Sequence, residues 1–274
     1  VSVWLILLLG LVIPIGWIIG RPWYAGHRRR RIRARPFPEA WRKILQRHMP
    51  YFRSMPADLQ LQLKGHIQVF IEEKQFVGCD GLQVTDQMRV LIAAYACLLI
   101  LNRNSDYYPT LRQILIYPAP FVVDLETVDE AGVLHKEREV RSGESWSQSQ
   151  VILSWQDVAE DALFSHDGRN VVIHEFAHQL DQQAGDANGA PLLDRREHYE
   201  EWSEVFGGEF EQLQERQRSG EEEALFDYYG ATDPAEFFAV VSEVFFEQPD
   251  IMVVEHPELY RQLVTFYRLD PLSW

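Results

Sequence analysis

The chain has 274 residues, 46% of them hydrophobic and 24% charged, which fits one globular domain of ordinary composition able to bury a core without disulfide staples. Its two cysteines, Cys79 and Cys97, form no CxxC pair, so cysteine-based zinc or redox chemistry has no support. The net charge of −15 is unevenly spread: residues 1–50 hold ten Lys/Arg against Glu39 alone, and residues 51–274 hold 16 bases against 40 acids, a body that repels phosphate backbones and argues against nucleic acid as a partner.

Val1 to Ile19 contains no charged residue. As a helix it would span roughly 28 Å, close to the ~30 Å hydrocarbon thickness of a bilayer. Trp4 lies near one end and Trp17, Trp23 and Tyr24 mark the other, and the basic run from His27 to Arg35 follows at once. The expectation is a transmembrane anchor over 1–20 and a basic juxtamembrane linker over 21–38. Positive charge after the span places the rest, 39–274, on the cytoplasmic face of the inner membrane as a single-pass protein. A cleaved signal peptide, a buried core helix and a nucleic-acid or nuclear-import patch are the competing readings. The chain opens without Met, which leaves room for an upstream piece.

Past Arg35-Pro36-Phe37-Pro38, a short stiff linker, the periodicity predicts amphipathic helices over Glu39–His48 and Pro56–Lys74. A third helix over Thr85–Leu101 is capped by Thr85 and apolar from Val90 onward, so it is expected to be buried with Cys97. Strand-like residues then fill Leu111–Asp124, Lys136–Val140 and Gln150–Trp155, and a small antiparallel sheet is the simplest arrangement. Helices return over Gly168–Gln183, Arg195–Arg218, Pro234–Glu247 and Pro257–Tyr267. The fold class expected is α+β, mainly helical, with that small sheet.

Chemistry is concentrated in Val171–Asp181, which contains His174-Glu175-Phe176-Ala177-His178. Two histidines four apart project from one helical face and can bind one Zn2+ at about 2.0–2.1 Å each. Glu175 is rotated about 100° from His174, where its carboxylate can take the proton of a water beside the metal rather than ligate. Such a zinc lowers the pKa of its water toward ~7. Two exposed histidines on a surface helix would be the plainer reading. It conflicts with Val171, Val172, Ile173, Phe176, Ala177 and Leu180, which make the helix almost wholly apolar, so unpaired polar groups inside it would be costly.

A third ligand is needed. A histidine six residues after His178 is ruled out, because that position is Ala184. The apolar helix from Pro234 carries Glu236 and Glu243 seven apart on one face, and either could turn inward to the metal or its histidines. For Glu236, a capping-box bond to the backbone of Asp233 is the competing reading. His66, His135, His166, His198 and His256 are expected at the surface or in packing.

The run Ile116–Val123, the Ser142–Trp146 turn, His174–Asp181 and Tyr229–Ser242 together resemble the Mlc titration factor A family, over roughly residues 37–271. These are bacterial glucose-regulated zinc metallopeptidases, similar in their catalytic core to anthrax lethal factor. The resemblance implies a zincin-like metallopeptidase domain of gluzincin type. His174, His178 and Glu236 would be its zinc ligands, Glu175 its catalytic acid/base, and Tyr229 a donor to the oxyanion; packing beside Tyr228 is the alternative for Tyr229. Val240 stands where several gluzincins place an Asp that orients a zinc histidine, leaving Glu243 and Asp181 as candidates for that task. The resemblance further implies peptidase activity of aminopeptidase type on a peptide or protein substrate. The alternative is a regulatory protein that sequesters a transcriptional repressor, with zinc mainly structural.

Overall fold

The computed structural model describes residues 20–274 apart from 104–105, 129–133, 142, 148, 165 and 222–223. The first described element is a helix over 20–33 (α1), in which Arg28 and Arg29 are half-buried against the domain while Arg21, Arg30, Arg31 and Arg33 are exposed. Arg29 forks onto both oxygens of Glu73 at 2.9 and 3.0 Å, reaches Asp106 at 2.9 Å and lies 4.8 Å from the centre of the Tyr107 ring. Ile32 is buried beneath it, and Arg28 and Arg35 pair with Glu72.

This basic helix differs from the membrane expectation. Among the described residues no helix is long and apolar enough to cross a membrane. Val1–Ile19, on which the transmembrane helix was placed, lie outside the described residues. The transmembrane helix and the single-pass inner-membrane location inferred from it are therefore withdrawn.

Helices α2 (Glu39–His48), α3 (Tyr51–Ser54) and α4 (Ala57–Glu73) lead into strand β1 (Gln75–Gly78), and α5 (Asp86–Leu98) crosses back. Thr85 caps α5 by accepting from the Met88 N–H at 3.3 Å. From Val90 onward α5 is buried, Cys97 included. Then follow β2 (Gln113–Tyr117), the hairpin β3 (Phe121–Val128) and β4 (Leu134–Arg141), and β5 (Gly143–Ser147) with β6 (Gln150–Ser154).

The sheet corrects the expected antiparallel arrangement. Its order is β1-β2-β6-β5: β1, β2 and β6 run parallel, and only β5 is antiparallel, at the edge. A separate antiparallel pair is formed by β3 and β4. The physical reason lies in the connections: the crossover through buried α5 returns the chain parallel from β1 to β2, the long excursion through β3, β4 and β5 does so from β2 to β6, and the tight turn from β5 to β6 returns it antiparallel. The fold is accordingly mainly helical with a small, largely parallel sheet.

Helices α6 (Trp155–Asp161), α7 (Val171–Asp181), α8 (His198–Ser219), α9 (Pro234–Glu247), α10 (Pro249–Glu255) and α11 (Pro257–Tyr267) complete the chain. Phe176 of α7 is fully buried against Phe70 and Tyr108, with ring centres 5.7 and 4.9 Å apart. Burying such a side chain contributes about 1.5–3 kcal/mol, so α7 is anchored through the face opposite its histidines. It also packs against α9, the edge strand β5, and α5, α6 and β6.

Candidate metal centre

Helix α7 starts where Asn170, itself fully buried, turns its side-chain oxygen to the Ile173 N–H at 3.1 Å. Helix α9 starts where Asp233 accepts from the backbone N–H groups of Ala235 and Glu236 at 2.8 and 3.0 Å, with Pro234 in the first turn. Asp233 thus caps α9 with its side chain.

The Glu236 carboxylate meets the histidines. Glu236 Oε2 lies 3.0 Å from His174 Nε2 and 3.2 Å from His178 Nε2, and the two Nε2 atoms are 3.3 Å apart. For donors about 2.0–2.1 Å from a tetrahedral zinc, neighbouring corners stand about 3.3–3.4 Å apart. The three atoms therefore have the spacing of three corners of such a site, and two imidazole nitrogens with one carboxylate oxygen are a donor set suited to a divalent transition metal. The residues present fit the ion.

Contacts between α7 and α9 run in opposite directions along the two helices. Glu236 meets His178 and His174, Glu243 meets His174 and Asn170, and Glu247 meets Asn170. Glutamates at i, i+7 and i+11 share one helical face, so α9 presents a row of carboxylates along α7. Glu243 Oε1 is 2.8 Å from His174 Nδ1, and its Oε2 accepts from the Asn170 N–H at 2.5 Å. This holds the Nδ1 proton and leaves Nε2 as the inward donor atom.

The electrostatics follow from that row. Burial works against a charged His174 ring, but Glu243, Glu236 and Glu175 together hold its pKa well above the usual value. Burial likewise disfavours ionised Glu236, yet the hydrogen bonds with His174 and His178 outweigh it and hold its carboxyl well below the usual range. Both nitrogens of His174 face carboxylate oxygens, a geometry satisfied by two protons or by one proton and one metal ion.

Glu175 is buried, at 5% exposure, and its charge reaches His174. Tyr229 sits in the 3-10 turn Tyr228–Ala231, where Asp227 accepts its N–H at 2.9 Å. Its hydroxyl donates to Glu236 Oε1 at 3.2 Å and its ring centre is 6.0 Å from that of His174. Arg169, one residue before the α7 cap, pairs with Asp227 and so ties this turn to the start of the histidine helix. Asp181 is buried, its Oδ2 accepts from the Asn188 and Gly189 N–H groups at 2.9 and 2.7 Å, shaping the loop after α7, and its carboxylate is also within electrostatic reach of His178. Asp161, Asn170 and Glu247 also belong to the support. Asp161 accepts the Val171 N–H at 2.7 Å, and Glu247 accepts from Asn170, His166 and Tyr51. Asn170 was readable as a cap before an apolar run, and Glu247 as the next turn after Glu243; Asp161 carried no local signal.

The sequence profile of the glucose-regulated metallopeptidase M90 family matches residues 23–268. An uncharacterised protein of Synechocystis, slr2042, is 41% identical over 269 residues, covering 98% of this chain and 96% of that one. Proteins named Mlc titration factor A are similar: that of Klebsiella pneumoniae is 37% identical over 85% of this chain and 87% of its own, and that of Cronobacter sakazakii is 36% identical over 92% of each.

Proposed function

This chain belongs to the glucose-regulated metallopeptidase M90 family, and from that membership we propose that it is a zinc-dependent peptidase of gluzincin type. In this reading His174, His178 and Glu236 ligate the ion and Glu175 is the catalytic acid/base. The observation that carries it is the convergence of two Nε2 atoms and one carboxylate oxygen at 3.0–3.3 Å. Bound there, the ion supplies Lewis acidity, polarising a carbonyl and acidifying a water.

The residues divide the remaining work. Glu175, one position after the first ligand, accepts the water's proton and returns it to the departing amine. Glu243 keeps the Nδ1 proton of His174 in place and so fixes the ring. Tyr229 donates to Glu236 in this structure, and a rotation of its side chain aims the same hydroxyl at a developing oxyanion. The edge strand β5, packed on α7, offers backbone groups along which an extended peptide can pair. An aminopeptidase-type preference rests on the family resemblance, and the net charge of −15 favours positively charged substrate ends.

A second reading is favoured by the name Mlc titration factor A carried by several relatives. On that reading the chain binds a transcriptional repressor and the metal holds the fold. The substitution Glu175→Gln separates the two. The expected result is a protein that retains one zinc per chain and loses hydrolysis of model peptides by about 10²-fold or more. Undiminished turnover would overturn the assignment of the base, whereas repressor binding, measured on the same variant, would be unaffected under the second reading.

A further inference from the structure

A cavity of about 350 Å³ lies between the start of α3, the start of α10 and the turn at Pro271–Ser273. Its volume falls at the lower end of the range for small-molecule pockets, about 300–1,000 Å³. Aromatic rings form its walls: Tyr51, Phe246 and Trp274, with His166 beside them. The Tyr51 ring stands at 84° to Trp274 with centres 6.5 Å apart, and at 82° to His166 with centres 6.3 Å apart. In such edge-to-face pairs one ring's edge packs against its neighbour's face, and a ring face left open to the cavity presents negative quadrupole potential to a cation.

Each of these rings is held. Tyr51 donates its hydroxyl to Glu247, which makes the ring more electron-rich, and the Trp274 indole N–H donates to the Asp270 carbonyl. His166 has φ 76°, a left-handed conformation costly for a non-glycine residue. It is kept there by its N–H to Glu247 Oε2 at 2.8 Å and by its Nδ1, 3.0 Å from the Glu247 carbonyl oxygen. Among the described lining residues the one acidic side chain is the exposed Asp250, and none is Lys or Arg.

We propose that this cavity is a binding site for an organic ammonium group, of the quaternary or methylated kind. A weakly hydrated cation gains from the aromatic faces what an inorganic ion would lose in dehydration, and Asp250 supplies the counter-charge. None of the cavity residues belongs to the His174, His178 and Glu236 cluster, so the inference stands apart from the peptidase reading.

The test uses the full chain and three probes: choline, its neutral carbon isostere 3,3-dimethyl-1-butanol, and a short peptide carrying trimethyllysine. Binding is read by calorimetry and by saturation-transfer NMR on the ligand methyl protons. Choline is expected to bind saturably in about the millimolar range, and the isostere about tenfold more weakly. Asp250→Asn should weaken choline several-fold with an unchanged melting profile, and Trp274→Ala should remove binding. Tighter binding of the peptide than of choline would support the site and assign the ammonium to a protein side chain; the reverse order would assign it to a free small molecule. Equal affinity for choline and the isostere, indifference to both substitutions, or no saturation by about 50 mM would overturn the proposal.

Discussion

Replacing Glu243 by Gln isolates one carboxylate that touches no metal and yet should control metal affinity. Glu243 accepts two hydrogen bonds at once, from the Asn170 N–H at 2.5 Å and with His174 Nδ1 at 2.8 Å, and its side chain is 10% exposed. Glutamine retains one acceptor oxygen and turns its NH2 toward the other donor, so one buried donor loses its partner. That costs about 1–3 kcal/mol, or about 2–10 °C in the apparent Tm of the metal-free protein. The ring of His174 is no longer fixed with Nε2 inward, and zinc affinity should fall about 10–100-fold. A chelator competition titration measures the affinity and a melt of the metal-free protein measures the stability. Glu247→Gln is the control. Glu247 is fully buried in the same row but bonds Tyr51, His166 and Asn170 rather than a histidine of the cluster. It should lower stability while changing zinc affinity by no more than a few-fold. Parent-like zinc binding by the folded Glu243→Gln protein, or an equal loss in Glu247→Gln, would refute the reasoning.

Other substitutions probe the support at longer range. Gly189 has φ 76°, and a Cβ there would stand 2.3 Å from the Pro234 carbonyl oxygen; Gly189→Ala should cost more than about 1 kcal/mol in chemical denaturation and displace the start of α9, weakening zinc binding through Glu236. The Asp161 carboxyl is pushed up to about 8 by burial, aided by Glu243, Asp167 and Glu247 and opposed by the Val171 N–H. Because its folded pKa lies above the unfolded value of 3.8, its stabilising effect is complete below about pH 4 and is lost as pH rises through about 8; Asp161→Asn should flatten that part of the Tm–pH curve. Free zinc at about 100 times its dissociation constant should add about 2.7 kcal/mol to the stability of the parent, and His178→Ala should abolish the shift in a thermal melt.

The candidate metal cluster was more legible in the sequence than the sheet. His174, Glu175 and His178 are local, and a helical period alone puts both rings on one face. Glu236 and Glu243 were marked by being acidic in an otherwise apolar helix, but spacing could not decide between ligation and capping for Glu236. The structure directs the Glu236 carboxylate to His174, His178 and Tyr229 rather than back to the backbone of Asp233. Strand direction depends instead on distant pairing. Gln75–Gly78 is four residues long, follows α4 with no turn residue between, and becomes a strand only through its parallel partner Gln113–Ile116. The apolar run at the start of the chain invited a membrane reading, yet in the basic segment after it Arg28 and Arg29 of α1 and Arg35 just beyond it pair with Glu72, Glu73 and Asp106, between positions 37 to 77 residues apart. Asp161 escaped notice for the same reason, since its partner Val171 N–H meets it only once α6 and α7 have packed.

Anomalous diffraction at the zinc edge, from crystals grown with one equivalent of zinc, addresses the central claim most directly. The expected map has a single strong peak about 2.0–2.2 Å from His174 Nε2, His178 Nε2 and a Glu236 carboxylate oxygen. A peak elsewhere, or no peak while those three side chains keep their 3.0–3.3 Å spacing, would contradict it.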